Sequence, residues 1–529
     1  MVSTHDPPRF NLWSEPWITV ERPSGALEMV SIEQLLLNTA VYRTLFDPSP
    51  LVVVSIHRLL TAILQDIFQP EVEYDLLDLW EVDAFPPNKI KQFGDEYAHR
   101  FDLFSEETPF LQSADIPLYP EKRGKGKAIS ELIQEQAADT SVTHYNHIYD
   151  FEHILCASCC SKGLLTIPTF SQPGGRGYST SINGIPPIYV VPGGNTYYHS
   201  LVSSLLTPYF RPGAEVDDKP WWKHAPTVKK EEVLRLGYLH SLTFPARRVR
   251  LYPIVMNKTC SRCGYKTAWG AEEMFFAPGE YLPKDAPFWR DPFVAYFSKN
   301  KEQPIPIKPR KGRAVWRDYV ALFLPSTNVG SFLRPSFIGQ LNDEEIRERL
   351  PYGKTTPIPF QTFSLRIDKK KIFEWESNGF SVPPTILTNA DFAIKIQDAI
   401  TFAEECEYKA LKRIYAQHFG GVSKQHPNAT PIKGSTAVKN QMLQAYWQQL
   451  GDEFRRWIMR FTPDADTAAI FEDWLQVVIR TGIDVFYNAA KQLNTGTSTA
   501  LICEEAVNHC RASLYNLRNK NYPKQEGTG

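Results

Sequence analysis

Two C-x-x-C pairs constrain the fold of this 529-residue chain more than any other feature. Cys156-Ala-Ser-Cys159 and Cys260-Ser-Arg-Cys263 can each present two thiolates from a tight turn, and four thiolates complete a tetrahedral zinc site. About a hundred residues separate the pairs, so one shared ion would hold distant parts of a domain together. We therefore expect a structural Zn²⁺ ion bound by these four cysteines.

Redox chemistry and simple burial account less well for the cysteine pattern. Cys160 is adjacent to the first pair, but Cys159 has the C-x-x-C offset and is the predicted ligand. A redox C-x-x-C motif would need a thioredoxin-like βαβ context, which this sequence lacks. Ordinary buried cysteines would rarely fall into two such pairs. A closed site with four thiolates would also argue against catalysis by the metal.

Composition limits the class of protein. A formal net charge of −1 means that any nucleic-acid contact must come from local basic patches. Met1–Phe10 is polar and has no signal-peptide core, and no apolar run of about 18 residues is evident. We expect a cytoplasmic protein of two or three domains that works as a subunit of a complex.

The first part of the chain mixes helix signals with irregular segments. We predict a short strand within Phe10–Val20, a helix near Ser31–Asn38 and an irregular segment over Phe101–Gln112. Ser49 and Pro50 fit the N-cap and first position of a core helix that extends to Phe68. The middle third is rich in proline, glycine and aromatic residues, which is typical of short strands joined by long connections.

Four amphipathic helical segments follow Pro384, starting with Thr388 as the predicted N-cap. The second is expected to bury Leu443, and the fourth Leu501 and Ile502. The predicted fold class is α+β: an irregular, zinc-stapled N-terminal domain over residues 1–384 and an antiparallel four-helix bundle over 385–522. Residues 523–529 are expected to be a disordered tail.

Several segments are candidates for contact with nucleic acid. Gly174-Gly175-Arg176-Gly177 would let the backbone approach a groove or phosphate, although a plain surface turn has the same pattern. Three basic stretches are candidates for phosphate contact, although such runs are commonly solvated faces: Arg247, Arg248 and Arg250; Lys308, Arg310, Lys311, Arg313 and Arg317; and Lys369, Lys370 and Lys371.

No catalytic motif is recognisable in the chain, and we expect that it is not an enzyme. His144, His147 and His153 form a local group, but no convincing carboxylate partners accompany them. A packed or DNA-facing loop therefore explains them better than a metal nuclease.

Taken in order along the chain, these features resemble one family. FNLWSEPWITV, FDLFSEETPFLQ, the split cysteine pairs, the GGRGY loop and LRIDKKKIFEW before the helices resemble the large subunit of type I-E CRISPR Cascade, the CasA family. The resemblance implies a subunit of an RNA-guided antiviral complex that recognises the PAM in double-stranded DNA. It also implies that a wedge starts strand separation, that the helices help hold the displaced strand, and that a helicase–nuclease is recruited.

The resemblance also implies site residues. Gly174, Gly175, Arg176 and Gly177 correspond to the family's glycine loop, and Lys284, with Lys266 second, is the candidate lysine finger. The wedge precedes Ile372-Phe373-Glu374, which assigns its tip to Asp368, Lys369, Lys370 and Lys371, where the family often has glutamine. The anchoring loop for the guide RNA and the backbone subunits corresponds to Asn146, His147, Tyr149 and Phe151.

Two other classes of function remain open from the sequence. A zinc-dependent enzyme acting on nucleic acid would need an open coordination position, which four thiolates on one ion would not leave. A scaffold unrelated to DNA would be insensitive to neutralisation of Lys369–Lys371.

Overall fold

A computed structural model describes most of the chain. The described residues are 7–120, 126–136, 153–171, 178–213, 216–224, 229–283, 285–298, 303–325, 331–349, 356–368, 371–420, 432 and 434–523. They form two compact units. The first takes its residues from Met1–Pro309, Gly330–Gly353 and Ile358–Phe380, and the second from Arg310–Val329, Lys354–Pro357 and Ser381–Gly529.

Helices and short strands alternate through the first unit, and long helices dominate the second. The strands are β1 Ile18–Glu21, β2 Leu27–Val30, β3 Thr44–Leu45, β4 Lys127–Ala128, β5 Leu155–Cys156, β6 Tyr189–Pro192, β7 Glu231–Glu232, β8 Arg247–Val255, β9 Trp269–Pro278, β10 Glu280–Tyr281, β11 Tyr296–Ser298, β12 Ile305–Pro306, β13 Ser331–Leu333, β14 Ile358–Asp368 and β15 Lys371–Val382. The helices are α1 Ile32–Leu37, α2 Pro50–Phe68, α3 Glu73–Val82, α4 Pro87–Tyr97, α5 Ala157–Phe170, α6 Tyr197–Val202, α7 Tyr238–Leu242, α8 Tyr319–Phe323, α9 Ser336–Leu341, α10 Glu344–Arg349, α11 Pro384–Thr388, α12 Ala390–Glu405, α13 Arg413–Phe419, α14 Ser435–Ile458, α15 Thr467–Leu493 and α16 Thr497–Asn521. Short 3₁₀ turns lie at Thr39–Val41, Ala98–Phe101, Ile129–Leu132, Trp221–Lys223 and Val315–Asp318.

Two sheets of the first unit position the segments of interest. In one sheet, β9 pairs antiparallel with β4, β5 and β8. In the other, the order is β15-β14-β6, and β6 pairs antiparallel with β14 from Phe360 to Phe363. The first sheet therefore includes the strand that carries Cys156, and the second includes the two strands on either side of positions 369 and 370.

The core helix α2 begins where the sequence predicts. The Ser49 hydroxyl accepts a hydrogen bond from the Val52 amide, and Pro50 occupies the first turn, where a missing N–H costs nothing. This helix is long and apolar enough to pass for a membrane span, contrary to the expectation from the sequence, but 83% of its apolar window is buried inside the protein. Its packing against α5 and α7 instead identifies it as a core helix.

The N-terminal segment differs from the predicted strand in its bounds. Regular pairing begins only at Ile18, whereas Trp13 and Trp17 before it are buried. The Trp17 indole donates to the Leu12 carbonyl oxygen at 2.9 Å, so the aromatic ring is held by a turn rather than by a sheet. α1 has a capping box between Ser31 and Gln34, in agreement with the predicted helix near Ser31–Asn38.

Four long helical segments make up most of the second unit, close to the predicted bounds. The first is continuous from α12 through a π-helical stretch at Cys406–Lys412 into α13. α14 packs against α15, and α15 packs against α16. The side chain that caps α12 is Asn389, which accepts from the Asp391 amide at 2.9 Å. The predicted N-cap, Thr388, is wrong because this residue ends the preceding short helix α11.

The buried faces of these helices follow the predicted periodicity with two exceptions. Leu443 is half-buried, and the neighbouring Met442 fills the core position of α14. On α16 the core face is formed by Cys503, Ala506, Cys510 and Leu514, whereas Leu501 and Ile502 are exposed. The error arises because cysteine contributes little to an apolar pattern in a sequence, although it packs as a small apolar side chain.

The second unit also takes in residues that the sequence assigned to the N-terminal domain. Trp316 packs its ring against Trp447 and Phe454, with centroids 5.7 and 4.8 Å apart. Arg313 and Arg317 both pair with Glu404, and the Arg317 guanidinium lies 3.7 Å from the centre of the Trp447 ring. Segment 310–329 thus belongs with the long helices, because aromatic burial outweighs its position in the chain.

Candidate metal centre and the segments around it

The four cysteines of the two C-x-x-C pairs meet in the first unit. The sulfur atoms of Cys156, Cys159, Cys260 and Cys263 all lie within 4.8 Å of one another. Zinc–sulfur bonds of about 2.3 Å in a tetrahedron place the sulfurs about 3.8 Å apart. The observed separation of 3.6 Å between Cys156 Sγ and Cys263 Sγ is close to that value. The donor set and its dimensions therefore fit one zinc ion.

The first pair sits at the junction of β5 and α5. Cys156 pairs with Gly270 of β9 and is also the N-cap of α5, where its sulfur accepts from the Cys159 amide at 3.4 Å. The hydrogen bond with Cys159 lowers the pKa of the Cys156 thiol, but the hydrogen bond with Cys260 and burial outweigh it and raise this pKa to about 12. The sheet and the helix together fix both sulfurs of the pair.

The second pair lies in the turn between β8 and β9. The Cys260 amide donates to the Tyr265 carbonyl at 2.8 Å, and the Gly264 amide donates to the Cys260 carbonyl at 2.9 Å. Gly264 has a φ of 75°, a left-handed conformation that glycine adopts without steric cost. The Ser261 amide donates to the Ile154 carbonyl at 2.8 Å, which ties this turn to the residues just before the first pair.

The thiols of the cluster perturb one another. The pKa of Cys159 is raised because its thiol hydrogen-bonds to Cys156, with further contributions from the other two cysteines. The pKa of Cys260 is lowered because its sulfur accepts hydrogen bonds from Cys156 and Cys159. A hydrogen bond from Cys159 is the main cause that lowers the pKa of Cys263 to about 7. The set thus combines sulfurs that retain protons with sulfurs that favour the thiolate, which is the form that binds metal.

Cys160 is separate from the cluster. Its side chain is buried, its sulfur contacts the Leu155 carbonyl at 3.6 Å, and burial raises the pKa of its thiol well above the ordinary value. Of the two neighbouring cysteines, the structure therefore brings Cys159 to the cluster, as the C-x-x-C offset predicts.

A polar network surrounds the second cysteine turn. The Arg262 guanidinium lies 3.8 Å from carboxylate oxygens of both Asp47 and Glu135, and Lys162 of α5 pairs with Asp47 at 2.9 Å. Ser49 donates to Glu135, so the cap of α2 joins the same network. These contacts anchor the cysteine turn to two helices independently of any metal.

Most of the other predicted site residues lie outside the described residues. These are Asn146, His147, Tyr149 and Phe151 of the anchoring loop, Gly174, Gly175, Arg176 and Gly177 of the glycine loop, and Lys284, Lys369 and Lys370. The backbone of Asp368 ends β14 and that of Lys371 begins β15. The described flanks nevertheless show which parts of the first unit support these segments.

The flanks of the glycine loop are joined at its base. α5 ends at Phe170, and the amide of Ser181 donates to the carbonyl of Ser171 at 2.9 Å. Tyr178 donates to the Phe276 carbonyl at 3.0 Å and stacks on its ring, and Arg247 donates to the Ser179 carbonyl at 2.6 Å. The residues on both sides of positions 172–177 are therefore held in place by hydrogen bonds and a ring contact.

The flanks of the glycine loop and of Lys284 meet at one cleft. A cleft of about 260 Å³ is lined by Ser179–Gly184 on one side and by Tyr281–Pro283 on another. Phe288 and Trp289 contribute aromatic surface to it, and the buried Trp289 Nε1 has no hydrogen-bond partner among the described residues. Two segments about a hundred residues apart in sequence thus converge on one surface feature.

β14 and β15 form a ribbon that extends beyond the sheet. Ser364 pairs with Glu376 at 3.4 Å and Arg366 with Glu374 at 2.6 Å across the ribbon. Because β6 pairs only with Phe360–Phe363, the ribbon has no third strand beyond that point among the described residues. Positions 369 and 370 connect its two strands.

Arginines of two of the three basic stretches are engaged inside the protein. Arg247 and Arg250 are buried and donate to carbonyl oxygens of Ser179 and Ser105. The second stretch, around Trp316, is engaged by acidic side chains: Arg310 pairs with Asp318, and Arg313 and Arg317 with Glu404. Phosphate contact through Arg247, Arg250, Arg313 and Arg317 is therefore the wrong interpretation, whereas contact through Lys308 and Lys311 stays a prediction.

Comparison with known proteins places the chain among CRISPR-associated proteins. The sequence profile of CRISPR-associated protein Cse1 matches residues 11–485. CRISPR-associated protein CasA/Cse1 of Thermus thermophilus is 26% identical over 520 residues, which cover 92% of this chain and 94% of that protein.

Solved structures share the fold. A crystal structure of Cse1 from Acidimicrobium ferrooxidans matches with a TM-score of 0.76 at 20% identity, over 98% of this chain and 99% of that one. A CRISPR-associated protein from Thermus thermophilus has a TM-score of 0.72 at 24% identity, over 96% and 100%. A chain of a CRISPR RNA-guided surveillance complex has a TM-score of 0.67 at 17% identity, over 96% and 100%.

Proposed function

The chain belongs to the CRISPR-associated Cse1 (CasA) family, and we propose that it is the large, PAM-recognising subunit of an RNA-guided DNA surveillance complex. The family is that of the large subunit of type I-E Cascade. In the proposed role the subunit reads a short motif in double-stranded DNA and starts strand separation, and the guide RNA reads the sequence by pairing.

The observation that carries the proposal is the shared cleft. Residues Ser179–Gly184, next to the glycine loop, and Leu282–Pro283, next to Lys284, line the same feature. The proposal assigns the two segments next to these flanks to DNA contact: Gly174–Gly177, whose glycines would let the backbone approach a groove, and Lys284, which would contact phosphate or base edges. The minor groove carries a degenerate code, which suits relaxed recognition of a short motif.

The β14–β15 ribbon is the proposed wedge. A two-stranded ribbon is narrow enough to enter a DNA groove, and its tip is assigned to Asp368, Lys369, Lys370 and Lys371. Lysines at this tip would hold phosphates or read acceptors where related proteins present an amide. Wedge insertion and lysine contact would together favour the separated strands.

The cysteine cluster supports a structural role for zinc. Four thiolates around one ion leave no open coordination position, so the alternative of a zinc-dependent enzyme acting on nucleic acid finds no support in this site. When bound, the ion would hold β5, the start of α5 and the β8–β9 turn together. α5 spans about 21 Å and leads from the cluster to the base of the glycine loop.

The remaining roles complete the proposal. Asn146, His147, Tyr149 and Phe151 precede the cluster in the chain and would anchor the subunit to the guide RNA and the backbone subunits. The C-terminal helices, as an antiparallel four-helix bundle, would help hold the displaced strand, and the subunit would recruit a helicase–nuclease. The chain itself would perform no catalysis, and it would act in the cytoplasm.

Neutralising the ribbon tip tests the proposal. The variant Lys369→Gln/Lys370→Gln, assembled into the complete complex, is expected to weaken binding to target duplex. Because each lost phosphate contact lowers the salt slope by about 0.9, the slope should fall by up to about 2. Lys89→Gln/Lys91→Gln removes the same charge from exposed positions on α4 of the same unit and is the control. An unchanged affinity and slope in the tip variant would contradict the proposed wedge.

A further inference from the structure

The outer strand of the ribbon exposes two large aromatic side chains. Phe373 is 49% exposed and Trp375 is 45% exposed, although they lie only two residues apart on β15. They alternate with Glu374 and Glu376, so the aromatic pair occupies one face of the strand and the carboxylates the other. The motif search in the sequence missed this pair, although its alternation is visible in IFEWE.

The cross-strand contacts identify which face this is. Arg366–Glu374 and Ser364–Glu376 pair across the ribbon on its polar face. Alternation then predicts Leu365, Phe373 and Trp375 on the opposite, apolar face, although the Arg366 guanidinium contacts the Phe373 ring as well as Glu374. Leu365 is fully buried, whereas the two aromatic residues on the outer strand are not. The apolar face is therefore covered on the inner strand and open at the outer one.

The Phe373 and Trp375 rings differ in the contacts that they make with the described residues. Phe373 has the Arg366 guanidinium 4.5 Å from its ring centre, so that ring is oriented by a cation from the neighbouring strand. Trp375 has no ring–ring, cation–π or hydrogen-bond contact with any part of the chain that the structure describes. The half-exposed Trp375 ring is therefore accessible to a partner outside the chain.

The spacing and charge of this face fit nucleobases. Positions two apart along a strand are separated by about 6.6 Å. Stacked bases are about 3.4 Å apart, so one base fits between two rings at that spacing. In the sequence, Lys369–Lys371 come just before this pair, while Glu374 and Glu376 alternate with the two rings. Basic residues together with aromatic rings are the combination that binds single-stranded nucleic acid irrespective of sequence.

Building on the proposed wedge, we propose that Phe373 and Trp375 form a stacking platform that captures a nucleobase unpaired next to the PAM. The ribbon then has two separate functions. Its tip enters the duplex, and its aromatic face retains a base that has left the stack. Retention slows re-pairing, so more opened bases stay unpaired until the guide RNA pairs, and the net rate at which the duplex opens rises.

Trp375→Ala and Trp375→Phe in the complete complex test the platform. The probe is a target duplex with 2-aminopurine at the first position beside the PAM, compared with the same duplex carrying a pre-opened mismatch there. We expect Trp375→Ala to lower the rate of opening of the intact duplex about tenfold and to have little effect on the pre-opened one. Trp375→Phe should keep most of the rate, because it preserves an aromatic face.

Tyr209→Ala is the matched control, since it removes an aromatic side chain that is 87% exposed in the same unit. If Trp375→Ala opens the intact duplex as fast as this control, the platform is overturned. If it instead reduces incorporation of the subunit into the complex, the face binds a protein neighbour and the proposal is again overturned. If the wild-type complex showed no PAM preference, that result would contradict the proposed function itself, not only the platform.

Discussion

At the scale of single residues, neighbouring cysteines have different environments. Cys159 contributes its sulfur to the four-thiol cluster, whereas Cys160 points to the Leu155 carbonyl and lies outside it. The spacing rule distinguishes them because only the C-x-x-C offset lets two sulfurs face one centre from a single turn. Gly264 completes the second turn in a conformation that few other residues tolerate.

Substitution of the cluster cysteines tests the metal site. Cys156→Ser and Cys260→Ser should each lose most of the bound zinc and lower the melting temperature, because a structural zinc site contributes directly to folding. Metal content measured by mass spectrometry, together with soluble yield, provides the readout. Cys160→Ser changes a buried thiol next to the cluster and should retain one zinc per chain. Stoichiometric zinc in both cluster variants would contradict the Cys₄ site.

At the scale of elements, helices were easier to predict than the connections between strands. α2 and the four long C-terminal segments are specified by caps and by apolar residues at helical spacing, which are local signals. The pairing of β9 with β4, β5 and β8 joins residues far apart in the chain, and no local signal encodes it. The burial of Arg247 and Arg250 follows from that pairing, which explains why their role was mispredicted.

The pairing of Arg313 and Arg317 with Glu404 of α12 makes a pH-dependent contribution to stability. Burial raises the pKa of the Glu404 carboxyl, but Arg313 and Arg317 lower it by more, so the net pKa is below its usual value of 4.5. A depressed carboxyl pKa stabilises the fold above the unfolded-state pKa, and this contribution is lost as the pH falls through the folded-state pKa.

Glu404→Gln is therefore expected to destabilise the second unit by about 1–2 kcal/mol at pH 7. The difference from wild type should shrink as the pH falls below 4.5 and through the lowered folded-state pKa, because the wild-type carboxyl then becomes protonated. Thermal unfolding across that pH range is the measurement. Glu453→Gln removes a surface partner of Arg456 and should have little effect. An equal loss of stability at pH 7 and pH 3 would exclude the charge as the cause.

At the scale of the whole molecule, the sequence predicted the family. It also predicted the four cysteines that the structure brings together. It did not predict that residues flanking the glycine loop and Lys284 line one cleft, or that the β14–β15 ribbon extends beyond its sheet with an open aromatic face. These features depend on contacts between distant segments, which single-residue patterns do not specify.

The central claim is that this subunit recognises the PAM for the complex. Its most direct test is binding of the assembled complex, with and without the subunit, to target duplexes carrying a randomised PAM, followed by sequencing of the bound fraction. We predict that the complete complex enriches a small set of PAM sequences and that the complex without the subunit loses this enrichment. Identical enrichment in the two complexes would contradict the claim.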